Sequence, residues 1–203
     1  SYLGEKATSL SLVGGLSGEF FKKHLENEHF ESLYIPIQAE TRHSITIMHD
    51  KNVNTEIVED GPKVYPEMKE AIFDRILQIV TEKKIEIISL NGSVNSDDEY
   101  FYNDLVYFLR KNTAPETKIL ADFSRNALQQ IVHNATSYPD FIKPNLEEFC
   151  QLTGLPFNNK QEVLDYVKEN PLPIPYTLVS CGAEGAIAQF SGQLYDVTAP
   201  TID

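Results

Sequence analysis

The chain has 203 residues, enough for one ordinary domain with a sizeable core. Its 30 acidic residues against 17 basic ones leave a net charge of -13, which opposes a nucleic-acid partner, because affinity for the phosphate backbone needs a basic face. No apolar run approaches the roughly 18 residues of a membrane helix, and Ser1 to Lys6 lack the basic-then-apolar layout of a signal peptide, so a cytoplasmic protein without a membrane partner is expected.

In chain order, Ala7 to Val13 reads as a short strand that stops at Gly14-Gly15, and Gly18 to Leu25 as a helix. "GGLSG" is no dinucleotide fingerprint, since its glycines are adjacent, and it reads as a tight strand-to-helix turn. Ser32 to Gln38, His43 to His49 and Thr55 to Glu59 read as strands, the last two joined by the polar turn Asp50 to Asn54. Their alternation predicts a small antiparallel sheet with one exposed face. From Pro66 the pattern becomes strand and helix in turn. Helix Pro66 to Lys83 is followed by strand Ile85 to Leu90, helix Asp97 to Lys111, strand Lys118 to Asp122 and helix Ser124 to His133. Then come strand Phe141 to Lys143, helices Leu146 to Thr153 and Lys160 to Glu169, and strands Thr177 to Ser180, Ala186 to Phe190 and Leu194 to Val197. Such alternation predicts right-handed crossovers and a largely parallel α/β sheet.

Ligands of these sheets sit beyond the carboxyl ends of the strands. That rule singles out Asn91-Gly92-Ser93, Asp122, Lys143-Pro144-Asn145 and Cys181-Gly182. Glu148 lies one helical turn past Asn145. An amide and a carboxylate so spaced suit a hydrated Mg²⁺, and equally a helix cap with its capping box; spacing leaves both readings open. Lys143 offers a point charge to a phosphate. Gly182 and Gly185 after a strand suit either an anion-binding backbone or a plain turn. Arg42 can grip a phosphate through its planar fork or stand solvated at the surface. The five histidines show no metal-ligand grouping, no Ser-His-Asp order is legible, and Cys150 and Cys181 read as ordinary buried thiols.

Taken together, "LVGGLSGEFFKKHL", "ETRHSITIMHD" with "TEIVEDGP", "ILADFSRNAL", "FIKPNLEEFCQLTG" and "TLVSCGAEGAIAQFSGQLYDVTAPTI" resemble, in the same order, successive blocks of the ribokinase-like sugar kinases. The likeness is nearest to the phosphofructokinase-B branch, with its tagatose-6-phosphate kinases and 1-phosphofructokinases. It implies a ribokinase-like three-layer α/β/α core, a mostly parallel sheet, and a small lid of strands at about residues 32–60. It implies transfer of the γ-phosphoryl group of ATP, with Mg²⁺, to a ketohexose phosphate, and a homodimer through the lid strands. By the same resemblance Arg42, Gly92 and Ser93 bind the sugar phosphate. Lys143, Ser180, Gly182 and Gly185 bind the nucleotide, and Asn145, Glu148 and Asp122 organise the metal. Relatives carry a Gly-Gly-Lys-Gly-x-Asn segment upstream and a Gly-x-Gly-Asp loop with the catalytic Asp downstream. Neither is in these residues, so an internal piece of a longer kinase is expected. "LNGSVN" also replaces a Ser-Gly-Ser-Leu-Pro type loop. The rival expectation is a nucleotide- or metabolite-binding module that kept the fold without the chemistry.

Overall fold

The computed structural model describes residues 4–26, 28–49, 53–123 and 125–199. The chain divides into two compact units, Ser1–Met68 with Val94–Ser96, and Lys69–Ser93 with Asp97–Asp203.

In the first unit, β1 (Thr8–Val13) and β2 (Glu31–Pro36) pair in parallel, in register Thr8↔Glu31 to Val13↔Pro36, and are joined through helix α1 (Gly15–Leu25). β3 (Ser44–His49) and β4 (Val53–Val58) form an antiparallel hairpin whose register sets Ile45 against Ile57. The sequence reading grouped the strand at Ser32 to Gln38 with this hairpin; the structure pairs it with β1 instead. Alternation fixes which face a strand buries, not which neighbour it chooses. The expected turn Asp50 to Asn54 lies partly outside the described residues.

The second unit is built on a six-stranded sheet in the order β10-β9-β8-β7-β6-β5. Its strands are β5 (Ile87–Asn91), β6 (Lys118–Asp122), β7 (Phe141–Ile142), β8 (Tyr176–Ser180), β9 (Ala186–Phe190) and β10 (Gln193–Val197). β5 to β8 run parallel to one another, and β9 is antiparallel to both its neighbours. This is the mostly parallel α/β sheet expected from the sequence. Helices α3 (Phe101–Asn112), α4 (Arg125–His133), α5 (Leu146–Thr153) and α6 (Lys160–Glu169) supply the connections. Helix α2 (Pro66–Glu82) starts at the boundary between the units.

The core of this unit is continuous. Val106 of α3, Leu128 and Ile131 of α4, Phe149 and Leu152 of α5, and Val163 and Val167 of α6 close on Ala121, Ile142, Val179 and Ile187 of the strands. Phe149 is fully buried, and truncating so large a ring to Ala costs about 3 to 5 kcal/mol. One polar side chain joins this interior without penalty. Gln189 accepts from the Leu172 N–H and donates to the carbonyls of Leu172 and Ile174, which satisfies its amide.

Two helix starts depart from the sequence reading. α3 begins at Phe101 rather than Asp97, because Asp98 accepts from the Tyr100 N–H and from Lys69 Nζ at 2.5 Å, holding the segment before the helix in a turn. Lys69 also reaches Asp104 at 2.6 Å. Burial pulls the Lys69 ammonium downward, but the two carboxylates outweigh it and hold its pKa above the ordinary value. α1 begins at Gly15 rather than Gly18, for a reason that belongs to the site.

Candidate active site

Strand β6 ends at Asp122 and β7 ends at Ile142, so parallel pairing brings Asp122 and Lys143 to one edge. Their charged groups lie 3.6 Å apart, both about half exposed. The chain then turns into α5 through Pro144 and Asn145. Asn145 makes an isolated parallel bridge with Ser180, and the Ser180 N–H donates to the Pro144 carbonyl at 3.0 Å. The carboxyl ends of β6, β7 and β8 are thereby stitched into a single rim. Gly92 joins it from β5, its N–H donating to the Asp122 carbonyl at 3.4 Å, and Tyr102 donates to the Gly92 carbonyl at 3.2 Å.

The capping reading of Asn145 and Glu148 is realised. Asn145 Oδ1 accepts from the Glu148 N–H at 2.9 Å, and Glu148 Oε2 accepts from the Asn145 N–H at 2.9 Å. The box occupies one oxygen of each side chain. Glu148 Oε1 and the Asn145 amide nitrogen have no partner among the described residues, so the cap orients the pair and leaves a carboxylate oxygen at the rim. Among the described residues, no three of His, Cys, Asp and Glu gather as a metal-binding group. That donor set fits an ion that keeps most of its water, as Mg²⁺ does, and not an all-protein cage.

The two glycines after β8 differ. Gly185 has φ 100° and a Cβ there would run into the Val197 carbonyl, so β10 packing alone requires glycine. Gly182 has φ 57°, is exposed, and would meet nothing. The turn Gly182–Glu184 therefore offers open backbone at Gly182 and closed backbone at Gly185. Cys181 is buried and its thiol is pushed up by burial and then by Glu184, in keeping with an inert thiol.

Arg42 lies in the first unit, just before β3. Its segment is pinned to the start of α1. Thr41 Oγ1 accepts from the Gly14 N–H at 3.0 Å, and the Thr41 N–H donates to the Gly14 carbonyl at 2.9 Å. Glu40 takes the N–H groups of Leu16 and Ser17, both at 3.1 Å, and so caps a helix whose own N-cap, Gly14, has no side chain to do it. The Ser17 backbone and side-chain bonds, then Leu16, hold the Glu40 carboxyl below its ordinary pKa. This remote cap explains the early start of α1. The fold also assembles a row that no spacing in the sequence announced. Ser17 Oγ lies 3.2 Å from His43 Nε2, and His43 Nδ1 lies 3.2 Å from Glu59 Oε2, which also accepts the His43 backbone N–H at 2.8 Å.

A family model described as "pfkB family carbohydrate kinase" matches residues 1–203. Similar solved structures include phosphofructokinase-2 from Escherichia coli in complex with fructose-6-phosphate, at 20% identity and TM-score 0.80, covering 100% of this chain and 65% of that one. A possible 1-phosphofructokinase from Thermotoga maritima is similar at 20% identity and TM-score 0.75, over 95% of this chain and 60% of that one. Ribokinase from Giardia lamblia is similar at 11% identity and TM-score 0.68, over 96% and 60%. The chain thus spans less than two-thirds of the length of the structures it matches, and at these identities the likeness shows the fold.

Proposed function

The chain belongs to the pfkB family of carbohydrate kinases, and on that premise we propose that it carries part of the site for ATP-dependent phosphorylation of a ketohexose phosphate in the cytoplasm, tagatose 6-phosphate to tagatose 1,6-bisphosphate. The observation that supports this reading is the rim at the carboxyl edge, where Lys143 is held by one carboxylate, Glu148 keeps an oxygen beyond its cap, and Gly182 presents open backbone.

Each residue has a role by chemistry. Lys143 is a point charge for the nucleotide phosphates, and Asp122 keeps it at the rim until the phosphates compete for it. Backbone at Ser180, Gly182 and Gly185 lines the nucleotide side, Gly182 by leaving room for close approach and Gly185 by fixing the turn. Asn145 and Glu148, with Asp122, would hold a hydrated Mg²⁺, which would supply positive charge to the phosphates. Gly92 and Ser93 meet the sugar, and Arg42 grips the phosphate already on it through a bidentate fork. The base that takes the hydroxyl proton is read as an Asp on a Gly-x-Gly-Asp loop outside these residues.

A second substrate is favoured by a specific observation: the similar structures include phosphofructokinase-2 with fructose-6-phosphate and a possible 1-phosphofructokinase, which points to fructose phosphates. The test is steady-state ATP consumption by the full-length protein with Mg²⁺ and each ketohexose phosphate in turn. Tagatose 6-phosphate should give the highest kcat/KM. A preference for fructose 1-phosphate would select the 1-phosphofructokinase reading, and no sugar-dependent turnover would leave a binding module.

The hairpin supports a further part of the proposal, a homodimer through the lid. Ile45, Ile47 and Ile57 share one face by register and each is about half exposed, while Met48 on the other face is 87% exposed. Apolar area of this kind marks an interaction surface. Ile45→Glu with Ile57→Glu should convert a dimer to monomer in sedimentation; an unchanged oligomer would count against the lid.

A further inference from the structure

Residues 40–43 carry three anchors and one arginine. Glu40 caps α1, Thr41 makes three hydrogen bonds to Gly14, and His43 closes the row from Ser17 to Glu59. Arg42 is flanked by these fixed residues, and its Cδ lies 3.6 Å from the position a Cβ would take on Gly61. The groove beside it has a volume of about 540 Å³, with Leu16, Phe20 and Phe21 on its wall and His24, Arg42 and His43 among its lining. Arg42 and His43 of this groove are thus adjacent in sequence, a fixed cation next to a ring that can carry charge.

The protonation logic of the row follows from its acceptor. The Glu59 carboxylate only accepts, and the His43 backbone bond, then the side-chain bond, hold its pKa below the ordinary value. His43 Nδ1 therefore carries a proton in either state of the ring. In the neutral ring Nε2 accepts from the Ser17 hydroxyl; in the charged ring Nε2–H donates to it. The row holds in both states, but the one Ser17 hydroxyl proton goes to Nε2 in the neutral ring and to Glu40 in the charged ring. This order of groups matches that of a nucleophilic serine site, but the Leu16 and Ser17 N–H groups that could stabilise an oxyanion are taken by Glu40, so its chemistry is positional. The groups that interact with His43 are Glu59 just after β4, Glu40 on its own segment and Ser17 on α1, and Arg42 and His24 line the same groove.

We propose that Ser17, His43 and Glu59 are positioning residues for Arg42, and that the charge on His43 sets how tightly Arg42 holds the phosphate of the sugar. The inference rests on the reading of Arg42 as the sugar-phosphate ligand. A charged His43 adds a second cation to the groove that Arg42 also lines, so sugar-phosphate capture is tighter at low pH and weaker once the ring is neutral. One exposed charge contributes about fivefold at most.

The experiment is steady-state kinetics of the full-length protein at about pH 6 and about pH 8, the range in which histidine changes charge. In the wild type the KM for sugar phosphate should rise about fivefold with pH, beyond any change in the KM for ATP. His43→Gln keeps a donor and acceptor for Ser17 without the charge, and should show the high-pH KM at both values. The ester's own ionisation affects wild type and variant alike, so the difference between their profiles belongs to His43. His43→Ala and Ser17→Ala should raise the sugar KM at both pH values and leave the ATP KM unchanged. A wild-type pH profile in His43→Gln overturns the charge role, and an unaltered sugar KM in both alanine variants overturns the positioning role. Arg42→Ala separates the two levels: no selective loss of sugar affinity there would overturn the reading of Arg42 itself.

Discussion

Strands β6 and β7 carry an ion pair at each end, and the two pairs are built differently. At the amino ends Asp140 receives Lys118 Nζ at 3.2 Å, Arg110 at 2.7 Å and the Ile119 N–H at 2.8 Å, and its side chain is only 14% exposed. At the carboxyl ends Asp122 meets Lys143 at 3.6 Å, with 46% and 43% of the two side chains exposed and no further partner among the described residues. The residue types are the same and the strands are the same. The amino-end group is fully committed to protein partners, whereas the carboxyl-end pair is loose enough for a ligand to take one member. A charge in a folded protein announces its role by how many of its bonds are already made.

The comparison breaks most visibly at Asp140. Asp140→Ala removes the shared acceptor of Arg110, Lys118 and the Ile119 N–H, and should cost about 1.5 to 3 kcal/mol in urea unfolding, the range for a hydrogen bond to a charged group, with nucleotide affinity retained. Next comes Glu148→Gln, which keeps the shape of the cap but removes the charge at the rim. It should raise the Mg²⁺ requirement of turnover about tenfold, as loss of a metal-orienting group does, in a titration of activity against Mg²⁺. A lower melting temperature with unchanged Mg²⁺ dependence would return Glu148 to capping alone.

A pH titration sharpens the contrast. Burial pushes the Asp140 carboxyl upward, but the Ile119 N–H, Arg110 and Lys118 together overcome it and hold its pKa below the ordinary value. A depressed carboxylate pKa contributes stability that is present above the unfolded value of roughly 3.9 and is lost as pH falls through the folded one. Chemical denaturation should therefore show stability falling in the acid range, and Asp140→Asn should flatten that fall. The smallest effect is expected at the other end. Asp122→Asn should change stability by less than about 0.5 kcal/mol in the same assay, the scale of an exposed pair.

The sequence made local devices legible and tertiary ones illegible. α5 and α6 begin where expected because Asn145 with Glu148 and Asn159 with Glu162 write their caps within four residues. The carboxyl-edge residues were reachable by the same means, since a parallel sheet places its ligand edge by topology. α1 was read short because its cap, Glu40, comes from a distant part of the chain, and α3 was read long because Lys69 of α2 holds Asp98. Alternation carries no partner, and β2 pairs with β1 rather than with the hairpin. Ser17, His43 and Glu59 left no signal at all, because three strands and a helix must fold before they meet.

The most direct test sets the two lysines against each other in the full-length protein, by nucleotide titration and thermal unfolding of Lys143→Ala and Lys118→Ala. Lys143→Ala should weaken Mg²⁺-ATP binding about tenfold, the scale of one charge-assisted bond, and leave the melting temperature unchanged. Lys118→Ala should leave nucleotide affinity untouched and lower the melting temperature. Equal nucleotide affinity in both variants and the wild type would contradict the assignment of the carboxyl edge to the phosphates.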